Sequence, residues 1–327
     1  MSKVSIIVPI YNVEKFIERC VRCLFSQTLN DIEFIFVNDR TPDDSMSILS
    51  RLIDEYDQRI HEKRWEVRID SMPTNSGQAA VRRHGLQLAS GDYVYHCDSD
   101  DWIEKDMISE MWNLANQDDL DVVVCDFAHV KDGETVYYKG MKALDAKDFF
   151  KEVLSDQSSW AVWNKLFKRS LYDNIIFPQK GMNLGEDMVI TVQLLYFCKK
   201  IGYINKPFYN YAENSASITN KRTISGIIDN YMQCYSNICT LKKSFIDKDI
   251  SQKERNVFSH LMRCTTVGAL DQIEKIDSLK LSYISRINIR VIMSRNISIY
   301  GKIQYIKNIM EVVKVSIRYK ITSSIKL

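Results

Sequence analysis

Runs of apolar residues, and the spacing between them, divide the first part of the chain into alternating strands and helices. VSIIVPIY (4–11) is short, rich in β-branched residues and bounded by polar ones, as a buried strand is. The period then changes: VEKFIERCVRCLFSQ (13–27) has its apolar residues at helical spacing. IEFIFVND (32–39) predicts a second strand ending on Asp39, and DDSMSILSRLIDEYDQRI (43–60) a helix with an Asp/Ser start. WEVRIDSM (65–72) is a third strand, SGQAAVRRHGLQLASG (76–91) a helix closed by Gly91, and DYVYHC (92–97) a fourth strand. Beyond it, WIEKDMISEMWNLANQ (102–117) predicts a helix and DVVVCDFAHV (121–130) a strand. Residues 145–220 mix helices and loops, and from about 223 onward the pattern is helical only. No repeat or low-complexity tract interrupts this order.

Such alternation predicts an α/β fold with a mainly parallel sheet and helices on both faces. Sites in these folds form at the C-terminal ends of strands. Three polar features stand there: Tyr11–Asn12, Asp39, and the cluster Asp98, Asp100 and Asp101. Carboxylates this close repel one another. Either they open the next helix, with Ser99 or Asp100 as its cap, or they hold a hard cation such as Mg²⁺ or Mn²⁺.

Composition narrows the picture little: 45% hydrophobic and 26% charged over 327 residues is that of an ordinary globular protein. No apolar run approaches the roughly 20 residues of a membrane span. The start, MSKVSIIVPIYN, reads as a strand and not a leader, so a cytoplasmic location is expected. Eight cysteines include one C-x-x-C, Cys20 and Cys23, without a second pair at zinc spacing. They are expected to be reduced core residues, as are Cys97 and Cys125 in their apolar runs.

Charge changes the picture more. Residues 280–327 carry ten Lys and Arg and one acid, whereas the rest of the chain is net negative. In a helical projection of 302–320, Ile303, Ile306, Met310, Val313 and Ile317 form a stripe edged by Lys302, Lys307, Lys314, Arg318 and Lys320. That pattern suits either an anionic membrane surface or a helix packed on the preceding domain with a solvated basic rim. It carries no nucleic-acid-binding motif.

Several chemistries are excluded. There is no G-x-G-x-x-G after the first strand, no P-loop and no G-x-S-x-G elbow, and the five histidines are scattered. His96 reads as a hydrogen-bonded core residue.

Four segments in order, VSIIVPIYNVEKFIERCVRCLFSQT, EFIFVNDRTPDDS, NSGQAAVRRHGLQLASGDYVYHCDSDDW and NKLFKRSLYDNIIFPQKGMNLGEDMVI, resemble glycosyltransferase family 2. These are inverting enzymes of the GT-A fold, here of the bacterial polysaccharide-biosynthesis type, and the resemblance covers roughly 3–220. It implies that Pro9 and Tyr11 line a nucleoside pocket and that Asp39 bonds the base. It places Asn75, Gly77 and Arg82 beside the nucleotide, Asp98 at the ribose and metal, and Asp100 on the metal. In Glu186–Asp187, Asp187 would be the general base; Trp160 and Trp163 read either as core aromatics or as stacking surfaces for the acceptor sugar. The implied partners are a nucleotide-sugar donor, a UDP-sugar by expectation, a glycan or lipid-linked acceptor, and Mn²⁺ or Mg²⁺.

The chain also departs from the family. Arg40-Thr41-Pro42 replaces Gly-Ser-Thr after Asp39, Val81 and Arg83 replace the Ala and Asn around Arg82, and Ala212 replaces an Arg in YAENSASIT (211–219), where Lys221 or Arg222 would supply the charge. The expected organisation is a GT-A domain over 1–222, with a nucleotide-sugar half to about 110 and an acceptor half after it. A helical, basic extension over 223–327 follows, with 280–327 available for peripheral membrane contact. The expected role is sugar transfer in surface-polysaccharide synthesis. Its rivals are a non-catalytic nucleotide-sugar-binding scaffold and a nucleotidyltransferase.

Overall fold

The computed structural model describes residues 2–178, 184–212, 224–258 and 261. The chain divides into two compact units, Met1–Ala216 and Ser217–Leu327. In the first, the strands are β1 (Val4–Ile10), β2 (Ile32–Asn38), β3 (Glu66–Ser71), β4 (Tyr93–His96), β5 (Trp102–Ile103), β6 (Val122–Lys131), β7 (Glu134–Tyr138), β8 (Lys165–Lys168) and β9 (Ile201–Ala212). The helices are α1 (Ile17–Leu24), α2 (Ser45–Glu55), α3 (Asp57–Glu62), α4 (Gln78–Leu88), α5 (Met107–Asp118), α6 (Ala146–Leu154) and α7 (Glu186–Phe197).

The strands form one sheet in the order β3-β2-β1-β4-β8-β6-β9-β5, with β7 on the side of β6. From β3 to β4 every pairing is parallel. β8 then runs antiparallel to both β4 and β6, and β9 returns parallel to β6. Alternation explains the layers. Val4, Ile6, Val8 and Ile10 of β1 join Phe34 and Phe36 of β2, Ile17, Val21 and Leu24 of α1, and Met107 and Met111 of α5 in one core. Phe25 and Trp65 close that core edge-on against Phe34. On the opposite face α4 packs so closely that a Cβ on Gly85 would lie 2.5 Å from Ile7.

Several boundaries differ from the sequence pattern. Gly91 does not cap α4, which ends at Leu88 with Ala89 as its cap; it sits where a side chain would strike the Ser5 main chain at 2.7 Å. Trp102 and Ile103 do not begin a helix. They pair with Asn210 and Tyr209 of β9, and α5 starts at Met107. β8 and β9 fall in the stretch expected to be helix and loop. Asn205, Lys206 and Pro207 interrupt the alternation of β9, where the register with β6 shifts around Asp126.

In the second unit α8 (Ile224–Ser244) buries Tyr231, Tyr235, Ile238 and Leu241 at helical spacing. The Arg255 guanidinium donates to the carbonyls of Phe245 and Lys248 just past its end, satisfying acceptors that a helix C-terminus leaves open. The basic stripe at 302–320 and the segments 280–327 and 213–223, with Lys221 and Arg222, lie outside the described residues. Among the described residues no helix is long and apolar enough to cross a membrane.

Candidate active site

The parallel register brings the ends of three strands to one line. Ile10 pairs with Asn38, and Ile7 with His96, so Tyr11, Asp39 and Asp98 leave the sheet side by side. Tyr11 is 48% exposed at this edge, with Pro9 partly buried before it. Asp39 is buried, and its two carboxylate oxygens accept the main-chain N–H groups of Ser76 (2.7 Å) and Gly77 (2.9 Å). The carboxylate thereby sits at the start of α4, where orphan N–H groups and the helix dipole favour negative charge. Gly77 takes φ 81°, a conformation open to glycine, and turns the chain into α4. Asn75 is exposed on the same loop.

The turn after β2 keeps a left-handed residue where the family has glycine: Arg40 lies at φ 59°. Its neighbours hold it. Asn38 accepts the Thr41 N–H at 2.9 Å, and Thr41 Oγ1 accepts the Asn12 N–H at 2.8 Å. Asp43 accepts the Glu14 N–H and the Ser45 hydroxyl.

The three acids after β4 part company. Asp101 is buried, accepting the Tyr209 hydroxyl and the Ala212 N–H, and so ties the turn to β9. Burial, with Asp100 and Asp98 nearby, pushes its carboxyl well above the usual range. Asp98 is part-buried, and its Oδ1 accepts from Arg82 at 2.7 Å and from Gln78 at 3.1 Å. Asp100 is also part-buried; its main-chain carbonyl accepts from Arg19, whose guanidinium lies 3.9 Å over the Trp102 ring. The opening helix expected from these acids does not form here, so their clustering is not explained by capping.

Arg82 organises the site. Expected beside the nucleotide, it is fully buried and bonds Asp98, Glu186 (2.8 Å) and Asp187. Burial alone would lower its proton affinity, but Asp187, Asp98 and Glu186 together hold the guanidinium charged. Its Nε has no partner among the described residues. Three carboxylates exceed one cation. Glu186, 4% exposed, is accordingly pushed up to about 7 by burial and then by Asp187. Asp187 is raised as well, chiefly by burial, against the pull of Arg82. Gly185, at φ 78°, turns the chain so that both acids stand in the first turn of α7. That helix is buried almost all round, which fixes the pair.

Sequence reasoning missed Lys165. It is fully buried, and its Nζ donates to Ser159 O (3.0 Å), Ala161 O (2.7 Å) and Asn164 Oδ1 (2.8 Å). The signal was a lysine inside the apolar run VWNKLF. Trp163, considered as an acceptor surface, is a core aromatic stacked 4.2 Å from Tyr209. Trp160 stays half-buried, its ring N–H on Val153 O at 2.6 Å. His96 is a core residue bonded to the Tyr172 hydroxyl at 2.9 Å. Cys20, Cys97, Cys125 and Cys198 are buried free thiols.

The residues fit a hard divalent cation of the kind that substrate completes. Asp98 and Asp100 offer part-buried carboxylates two positions apart on one turn. Among the described residues no three His, Cys, Asp or Glu side chains form a group able to hold a metal by themselves. Mg²⁺ in such sites is typically held by one or two carboxylates and by substrate phosphates.

The mainly parallel sheet with flanking helices is a fold of the GT-A type. The S. aureus TarS 1–349 crystal structure in complex with UDP-GlcNAc superposes with a TM-score of 0.66 at 18% identity, covering 94% of this chain and 89% of that one. The mannosyltransferase PcManGT of Pyrobaculum calidifontis, in complex with GDP-Man and Mn²⁺, gives 0.52 at 16% identity, covering 95% and 86%. The Glycosyl transferase family 2 model matches residues 5–191, and the chain belongs to that family. The glycosyltransferase EpsJ of Bacillus subtilis is 30% identical over 66% of this chain and 62% of its own length. GlyA of Streptococcus pneumoniae is 30% identical over 67% of this chain and 32% of its own. The match therefore spans under two thirds of either relative.

Proposed function

We propose that this protein is an inverting glycosyltransferase that moves a sugar from a nucleoside-diphosphate sugar, a UDP-sugar, to a hydroxyl of a glycan or lipid-linked acceptor in surface-polysaccharide synthesis. One observation carries the reading. A single buried guanidinium holds Asp98, on the strand-end turn of the donor side, together with Glu186 and Asp187 from a helix more than a hundred residues on. The shared guanidinium supports reading Asp98 as a donor-side acid and Asp187, of raised proton affinity, as a base beside it. The UDP-GlcNAc of the TarS complex supports the choice of donor class, and the Mn²⁺ of the mannosyltransferase supports the cation.

In this reading Tyr11 and Pro9 flank the base, and Asp39 reaches it while holding the Ser76–Gly77 turn. Asn75 and Gly77 border the nucleotide. Asp100, with Asp98, would hold Mn²⁺ or Mg²⁺, which offsets the charge left on the departing diphosphate. Asp187 takes the proton of the acceptor hydroxyl, a contribution of typically ~10²–10⁴-fold. Glu186 and Arg82 set its charge and angle. Direct attack by the acceptor inverts the anomeric centre without a covalent sugar–enzyme bond. Trp160 borders the acceptor side.

The test is Asp100→Asn on the full chain. Calorimetry with UDP and Mn²⁺ is expected to show a marked loss of Mn²⁺-dependent affinity, with the thermal transition kept. Unchanged Mn²⁺-dependent UDP binding would remove the cation from Asp100 and, with it, the assignment of the donor side.

A further inference from the structure

The turn that carries Asp98, Asp100 and Asp101 is closed by its own main chain, the Asp101 N–H donating to Asp98 O at 3.2 Å. β9 holds it through the Asp101 carboxylate and through the pairing of Trp102 and Ile103. α1 and the residues just past it hold it as well. The Cys20 thiol lies 3.7 Å from Asp98 O, and the Ile103 N–H donates to Cys23 Sγ at 3.3 Å. Gln27 donates to Glu104 O at 2.9 Å and accepts the Ile108 N–H at 3.2 Å. Cys20 and Cys23 are three positions apart and so share one helix face.

Arg19 differs from these neighbours. It is exposed, yet its guanidinium donates to Asp100 O at 2.7 Å and lies 3.9 Å over the Trp102 ring. Holding an exposed arginine in one geometry costs side-chain entropy. Here two contacts on one turn, a charge-assisted hydrogen bond and a cation over an aromatic face, fix both its donor and its plane. The carbonyl it holds belongs to Asp100, the acid read as the metal ligand. A guanidinium has the wrong sign to attract Mn²⁺ or Mg²⁺, so its charge does not explain its place. What it supplies is geometry: the main chain of Asp100 sets the direction in which its carboxylate reaches.

We propose that Arg19 is a positioning residue for the divalent cation: it pins the Asp100 main chain to α1 and to Trp102, so that the carboxylate keeps one direction when donor and cation arrive. The inference rests on the proposed role of Asp100 as metal ligand. Groups that orient metal ligands typically contribute about 10–100-fold to metal affinity.

Arg19→Met keeps an apolar stem against Trp102 and removes the charge and the donors. Calorimetry on the full chain gives the UDP affinity with Mn²⁺ and again in EDTA, and the ratio of the two is the readout. In Arg19→Met that ratio is expected to fall about 10-fold or more, with the EDTA affinity and the thermal transition as in the parent protein. Charge alone predicts the opposite sign, since removing a cation beside a cation site tightens that site. Arg19→Lys, which keeps a charge and a donor for the carbonyl, is expected to restore most of the ratio. An unchanged or raised ratio in a folded Arg19→Met protein overturns the proposal. So does an equal fall with Mn²⁺ and in EDTA, which would put Arg19 on the nucleotide itself. Should Arg19→Met not fold, Arg19→Gln takes its place with the same outcomes. Asp100→Asn tests the premise separately. A lowered ratio there, with none in Arg19→Met, removes Arg19 and keeps the cation on Asp100. A parental ratio in Asp100→Asn defeats the premise and the proposal together. In the double variant Arg19→Met is expected to add nothing to the loss from Asp100→Asn, because both act through one carboxylate. A further loss there overturns the proposal.

Discussion

The two halves of the first unit build their parts of the site by different means. From β1 to β4 the site is made by main chain: parallel strands end in register, and Asp39 is held by two peptide N–H groups. Where that half meets the segments beyond β4, the site is made by buried charged side chains: Arg82 of α4 reaches Glu186 and Asp187, and Lys165 sits inside its cage of oxygens. Backbone-built features tolerate side-chain change, as Arg40 in place of the family's glycine shows. Charge-built features do not, because removing one partner leaves the others buried and uncompensated.

The sharpest way to break that contrast is Arg82→Met, with the largest expected effect. Three carboxylates would be left facing one another without a cation, a cost of about 3–5 kcal/mol. The sign of its pH dependence follows from the acids. Glu186 and Asp187 already bind protons more tightly in the fold than a free carboxylate does, and losing Arg82 raises them further. Stability is therefore retained while they are protonated and lost as pH rises through their folded values. Thermal or urea unfolding at pH 5.5 and pH 8 is expected to show the larger deficit at pH 8. Equal deficits would mean that the carboxylates are not what Arg82 serves.

Next in size is Asp187→Asn, which keeps shape and loses basicity. Turnover is expected to drop at least about 10²-fold with donor affinity preserved. Because burial raises the Asp187 carboxyl, the parent protein should lose activity on the acid side at a pH above the usual carboxylate range. A rate that stays level down to pH 5 would argue against a base in this pair.

The smallest effect belongs to the main-chain half. Arg40→Gly relieves a left-handed side-chain residue, worth about 1–3 kcal/mol, but adds freedom to the unfolded chain, about 0.5–1 kcal/mol. A modest rise in melting temperature with unchanged UDP affinity is expected. A large loss of UDP affinity would make the Arg40 side chain, and not the turn, the functional element.

The same contrast governs what could be read in the chain. β1, β2 and β4 were legible almost to the residue, because each is an unbroken apolar run between polar stops. β8 was not, since KLFK carries a lysine that burial made part of the core. β9 hid behind Asn205–Pro207, and β5, two residues long, has no pattern at all. In the site, Asp98, Asp100 and Asp187 came from motif order. Arg82 was named, but its partners lie 16 to 105 positions away, and spacing along a chain does not tell which distant acids a helix will meet. Lys165 lacked even a motif reading, because its meaning is the oxygen cage, and a cage exists only once the chain has folded.

The shared guanidinium has a further consequence. Asp98 and Asp187 compete for the same positive charge, so whatever occupies Asp98 changes the hold of Arg82 on Asp187. Equilibrium coupling is reciprocal. If a bound donor alters the proton affinity of Asp187 by some factor, protonation of Asp187 must alter donor affinity by that factor too. If the proposed donor seats at Asp98, a proton and that donor would be two ligands coupled through one arginine, each reporting the presence of the other.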